Sequence, residues 1–311
     1  MRVFVAGASG AIGRPLVPRL VAAGHEVTGT TRSEERAEAI RAAGARAVIC
    51  DALDADALRA AVVEAAPEVV VHELTALPHR FNPRDKQMYA PTDRVRREGT
   101  RNLIAAAQVA GARRIVCESI AFAYAPGERP EVKEEDAPLA LEAPLPFGDS
   151  VRAIDEMERA VLGAEGLEGL VLRYGWFYGP GTYFADDGSL ARDVRRRLLP
   201  VIGKGIGLYS FVHVDDAANA TVAAVERGAP GVYNVVDDEP APQREWVSVY
   251  AEAIGAKKPL RVPVWVARLA MGKIATMADV QAGASNAKAK RELGWEPRWS
   301  SWRQGFREAP R

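Results

Sequence analysis

Short, almost continuously apolar runs of Val, Ile and Ala alternate along the first half of the chain with longer segments whose apolar residues recur at helical spacing. Arg2–Ala6, Glu26–Thr31, Arg46–Cys50, Glu68–His72, Arg113–Glu118 and Gly169–Arg173 read as strands, and residues 12–23, 34–43, 55–65, 92–110 and 149–164 as amphipathic helices. Strands with no polar alternation are covered on both faces, the condition of parallel strands flanked by helices. The order therefore predicts an α/β fold, a doubly wound parallel sheet with right-handed crossovers and ligand sites beyond the carboxyl ends of its strands.

After Tyr178 the regularity breaks into Gly179-Pro-Gly181, Asp186-Asp-Gly188, a basic helical stretch at 191–199 and the loop Gly203–Gly207. Phe211–Val214, a helix running to Glu226, and Val232–Val236 are predicted to rejoin the main sheet. Residues 237–311, with Trp246, Trp265, Trp295 and Trp302, form a smaller lobe. Two interleaved domains follow: a sheet domain of 1–175 completed by 208–236, and a substrate lobe of 176–207 and 237–311.

Composition narrows the function classes. With 311 residues, 48% of them hydrophobic, the chain has the makings of an ordinary globular protein with a substantial core. Lys plus Arg equals Asp plus Glu at 41 each, so no overall positive field favours nucleic acid. The first residues run straight into a strand without the pattern of a secretory leader, and no apolar run reaches the roughly 18 residues of a membrane helix. Cys50 and Cys117 lie in apolar strands, as reduced thiols of a cytoplasmic protein do.

The first crossover carries Gly7-Ala-Ser-Gly10-Ala-Ile-Gly13 between strand and helix. Gly7 permits the tight turn, Gly10 lets backbone approach a pyrophosphate, and Gly13 lets the helix pack close to the strand, with its free N–H groups facing the phosphates. This predicts a Rossmann dinucleotide site. An acid that would accept from the ribose 2′-hydroxyl of NAD should end the second strand, but Thr30-Thr31-Arg32-Ser33 stands there. Arg32, with Thr31 or Ser33, suits a 2′-phosphate, so NADP(H) is favoured over NAD. Asp51 either accepts from the adenine amino group or caps a turn.

The glycine turn, Val70-Val-His-Glu-Leu-Thr-Ala76, Glu98-Gly-Thr-Arg-Asn-Leu103, Leu172-Arg-Tyr-Gly-Trp-Phe-Tyr-Gly-Pro180, Phe211-Val-His-Val-Asp-Asp216, Gly231-Val-Tyr-Asn-Val235 and the segment Ser285–Trp295 together resemble the extended short-chain dehydrogenase/reductase superfamily, its NAD-dependent epimerase/dehydratase group. The resemblance runs nearly end to end. It implies a Rossmann domain, a variable C-terminal substrate lobe, and a site for a small molecule between them. It also implies cofactor contacts from Ser9, Ala11 and Ile12, from Ala52 beside Asp51, from Leu74, Thr75 and Ala76, and from Tyr174 and Phe177. Dimerisation through the helices at 92–110 and 149–164 is a further implication.

The family's enzymes use a Tyr-xxx-Lys on one helix, with a Ser or Thr polarising the substrate oxygen. In this chain Phe147 takes the Tyr position, Val151 the Lys position and Ile120 the polarising position. The usual proton relay is missing. Ser119 remains a candidate hydrogen-bond donor or a hydroxyl satisfied by its own backbone, Tyr124, Tyr174 and Tyr178 candidate phenol donors or packing residues, and Arg96 a candidate oxyanion stabiliser or part of a solvated helix face. His213, Asp215 and Asp216 sit in a strand-to-helix transition where Asp caps helices, and no metal is expected. Three readings stay open: an NADP(H)-dependent oxidoreductase with a non-standard proton donor, a non-redox epimerase, dehydratase or cyclase, and a non-enzymatic NADP(H) sensor.

Overall fold

The computed structural model describes residues 1–78, 80, 85 and 87–308. The strand-helix alternation forms as the pattern predicts: β1 (Arg2–Ala6), α1 (Gly13–Ala22), β2 (Glu26–Thr31), α2 (Glu34–Ala42), β3 (Arg46–Ile49), α3 (Ala55–Ala65) and β4 (Val69–His72). There follow α4 (Ala90–Arg94), α5 (Thr100–Val109), β5 (Arg114–Ile120), β6 (Val132–Lys133), α6 (Phe147–Leu162), β7 (Glu168–Tyr174) and β8 (Trp176–Tyr178). The single helix expected over 92–110 is interrupted by a π-helical turn at Val95–Gly99, where Arg96 is buried.

The next elements are α7 (Ser189–Arg195), β9 (Val201–Ile202), β10 (Leu208–Tyr209), β11 (Phe211–His213), α8 (Val214–Glu226) and β12 (Gly231–Val235). Seven strands make one parallel sheet in the order β12-β7-β5-β4-β1-β2-β3. Chain order reverses between β1 and β4, so their carboxyl ends open a crevice at the point where such sheets take ligands. Val3, Val5, Val69 and Val71 pack on one face with α1 and α8, while Phe4, Val70, Ile115 and Cys117 pack on the other with α3, α5 and α6. Both faces are covered, which is why the strands carry no polar alternation.

One expected strand goes elsewhere. Gly231–Val235 joins the main sheet beside β7, but Phe211–His213 pairs in parallel with Trp176–Tyr178 in a separate two-stranded ribbon. The chain leaves the main sheet at Gly175, where a Cβ would lie 2.5 Å from the Ser210 carbonyl oxygen, so only glycine allows the ribbon to approach this closely.

The rest of the chain is α9 (Gln243–Ala253), α10 (Val264–Met271), a 3₁₀ segment at Gly272–Asp279, α11 (Ala287–Leu293) and α12 (Trp302–Glu308), with short strands between. Phe184, Phe211, Trp246, Tyr250 and Trp302 build its aromatic core. Of the four tryptophans assigned to this lobe, Trp295 instead packs into the sheet core and donates to the Asp216 carbonyl at 3.0 Å, and Trp265 is 68% exposed. Among the described residues no helix is long and apolar enough to cross a membrane.

Candidate active site

The glycine turn is shaped by close approach. Gly7 has φ 94°, and a Cβ there would lie 2.5 Å from the Glu73 carbonyl oxygen at the end of β4. A Cβ on Gly13 would run into the Gly7 carbonyl. Gly10 differs: it is exposed, and its Cβ would meet only the Gly7 oxygen, at 3.2 Å. The turn thus leaves an open side at Gly10 for an incoming phosphate. Behind it α1 begins with no side-chain cap at Ile12 and no acid in its first turn; the Arg14 N–H donates to the Gly10 carbonyl at 3.1 Å and Pro15 has none, which leaves the N–H of Gly13 and the positive helix end for an anion. Ala11 is half-buried beside it. The residues present fit a dinucleotide pyrophosphate.

The second strand continues the cradle. Thr30 accepts from the Gly7 N–H at 3.3 Å, and the Ser9 and Thr31 hydroxyls lie 3.1 Å apart. Arg32 is exposed and makes no ion pair among the described residues. Ser33 starts α2 in extended backbone without a side-chain capping bond. Asp51 accepts from the Leu53 N–H at 3.0 Å, so it caps the turn, and the Ala52 carbonyl accepts from Asn102 at 3.0 Å. Past β4, the Leu74 N–H donates to His72 at 3.2 Å and the Ala76 N–H to Thr92 at 3.0 Å, with Thr75 exposed between them. The rings of Tyr174 and Phe177 meet at 5.3 Å.

The phenols and hydroxyl expected to supply protons lie in the interior. Ser119 donates to Glu158 at 2.6 Å and is fully buried. Tyr124 donates to Asn234 at 2.7 Å and accepts from Arg173 at 2.9 Å. Tyr174 donates to Glu73 at 2.9 Å and meets the Thr221 hydroxyl at 2.7 Å. Tyr178 is buried, with no hydrogen-bond partner for its hydroxyl among the described residues. Burial, followed by nearby carboxylates, raises the pKa of Tyr174 and of Tyr178. Arg96 is buried between Glu118 at 3.5 Å and Asp93 at 3.8 Å.

Comparison with known proteins places this arrangement. Residues 3–235 match the NAD dependent epimerase/dehydratase family. The chain belongs to the NAD-dependent epimerase/dehydratase family. A 3-diazoavenalumate denitrifying reductase from a Streptomyces species is 48% identical over 308 residues, covering 98% of this chain and 99% of the relative. A 4-hydroxy-2-methyl-3-oxo-4-farnesyl-3,4-dihydroquinoline-1-oxide ketoreductase from Stigmatella aurantiaca is 29% identical, covering 87% and 78%. The UDP-glucose 4-epimerase of Thermus thermophilus, solved with NAD, superposes with TM-score 0.73 at 25% identity, covering 99% of this chain and 97% of that one. This member of the family is therefore a nicotinamide dinucleotide-dependent enzyme of the oxidoreductase type.

Ile120, Phe147 and Val151, the residues that the sequence resemblance sets against the family's hydroxyl, phenol and amine, come together in one apolar cluster with Ala123, Leu139 and Ile154. Ser150, next to Val151, donates inward to Asp93 at 2.7 Å. Sequence reasoning passed over Glu73, which stands directly after β4 and is 8% exposed. Its pKa is raised well above the usual carboxylate range, first by burial and then by Glu118. The signal was available as a lone acid at the end of an apolar strand.

Proposed function

We propose that this enzyme is an NADPH-dependent reductase whose acceptor takes a hydride without a proton from the protein, and that the acceptor is a diazo compound. The reading rests on the apolar cluster of Ile120, Phe147 and Val151, which offers no acid at the positions that the sequence resemblance assigns to the family's three polar groups. A ketone that accepts hydride becomes an alkoxide and needs an acid within hydrogen-bond reach. An arenediazonium ion does not. Its carbon gains the C–H bond while the C–N bond breaks, the bonding pair leaving with N2, and a neutral arene results. When bound, the reduced nicotinamide supplies that hydride. The name of the 48% identical relative, which gives a diazo substrate and a denitrifying activity, supports this class of acceptor.

The chain's own residues then have three tasks. The glycine turn holds the pyrophosphate, Arg32 with Thr31 or Ser33 pairs with a 2′-phosphate, and the apolar cluster keeps water, a competing nucleophile, from the reacting carbon. A second reading has one observation in its favour. Burial and the charge of Glu118 raise the pKa of Glu73, which accepts from Tyr174, and a carbonyl reductase could draw on that pair. Incubation of the purified chain with NADPH and either an arenediazonium carboxylate or a set of ketones separates the two. Arene and N2 formed in step with NADPH oxidation support the diazo reading; ketone reduction without arene formation overturns it.

A further inference from the structure

Arg14 immediately follows the third glycine and lies in the first turn of α1. A cation there faces the positive end of the helix dipole, and neither a capping side chain nor a first-turn acid offsets it. Arg14 is exposed and, among the described residues, makes no ion pair and no side-chain hydrogen bond. Nor does it extend into solvent. Its guanidinium lies over Gly181, where a Cβ would collide with it, in the turn that follows β8. Gly181 has φ 75° and Gly179 φ 102°, so this turn is built of backbone that glycine favours.

The guanidinium thus reaches from the start of α1 to the Gly179–Gly181 turn with no carboxylate on it among the described residues, on the same helix end as the Gly13 N–H. Both kinds of donor call for an anion, and the dinucleotide cofactor brings its pyrophosphate to this end of α1. We infer that Arg14 is a pyrophosphate ligand that closes the open side of the glycine turn and ties the phosphates to the Gly179–Gly181 turn. The pyrophosphate is common to NAD and NADP, so Arg14 contributes affinity without choosing between them. That choice is left to Arg32. The inference concerns binding alone and stands or falls separately from the identity of the acceptor.

Calorimetric titration of the full chain tests it with four probes: NADPH, NADH, ADP-ribose, which keeps the pyrophosphate, and 2′-AMP, which lacks it. Arg14→Gln is expected to weaken the first three by a common factor of about 10 or more and to leave 2′-AMP unchanged, with Arg14→Lys recovering part of the loss. Unaltered ADP-ribose binding in Arg14→Gln overturns the inference. So does a loss confined to NADPH and 2′-AMP, which would make Arg14 a reader of the 2′-phosphate. Because the residue is exposed, the ligand-free thermal midpoint of the variant should match the parent, and a matched midpoint excludes misfolding as the cause.

Discussion

The hydroxyl of Ser119 donates to Glu158 at 2.6 Å, and the same carboxylate holds Arg173 through two bonds of 2.9 and 2.6 Å. All three residues are at least nine-tenths buried, so the hydroxyl helps satisfy a charge that water cannot reach. Ser119→Ala should cost about 1–3 kcal/mol of stability by leaving that carboxylate short of a donor. It should change kcat by less than about threefold, a free-energy difference below 1 kcal/mol. Chemical denaturation alongside steady-state kinetics checks both. A large loss of kcat with unchanged stability would return Ser119 to the reacting centre.

The proposed preference for NADPH assigns the 2′-phosphate to Arg32. Arg32→Ala should lower kcat/KM for NADPH by roughly 10- to 100-fold, the worth of a charge-assisted pair, and leave NADH within a few-fold. Equal losses for both cofactors would contradict a 2′-phosphate contact.

Val151 is fully buried among apolar side chains, so a lysine there puts an ammonium into a site shaped for hydrocarbon. Val151→Lys should destabilise the fold by about 3–5 kcal/mol, the cost of an uncompensated buried charge. Thermal or urea unfolding would show it. A stable Val151→Lys variant would mean that the cluster opens to water more readily than its packing allows.

Glu73 gives the protein a pH dependence of definite sign. Burial, and then the charge of Glu118, hold its carboxyl well above the ordinary range, so the folded state binds that proton more tightly than the unfolded chain does. The stabilisation is complete below the unfolded value and is lost as pH rises through the folded one. Glu73→Gln keeps an acceptor for Tyr174 and removes the dependence. Its midpoint relative to the parent should therefore rise as pH climbs above the ordinary carboxylate range. A gain independent of pH would mean that Glu73 is already ionised in the folded protein.

The sheet was legible in the chain because burial on both faces leaves apolar runs that few other structures produce. The glycine turn was legible too, since Gly7 and Gly13 each stand where any Cβ would strike backbone. Less could be read where pairing depends on distant partners. Phe211–Val214 has the composition of a sheet strand, and its diversion to Trp176–Tyr178 follows from the close approach at Gly175, which no local pattern records. The proton-donor candidates show the same limit. A Ser or Tyr in a crevice segment reads identically whether it faces a substrate or, like Ser119 and Tyr174, a buried carboxylate. The apolar cluster itself was readable only position by position, as Ile120, Phe147 and Val151, and the fold joins them into a single surface.

The source of the new hydrogen tests the central claim most directly. Turnover of an arenediazonium carboxylate with NADPH deuterated at the transferring position of the nicotinamide should place one deuterium per product on the carbon that carried nitrogen. With unlabelled cofactor in heavy water, that carbon should take none. A product that draws this hydrogen from solvent, or NADPH oxidation without loss of N2, would contradict direct hydride delivery to an acceptor that needs no proton.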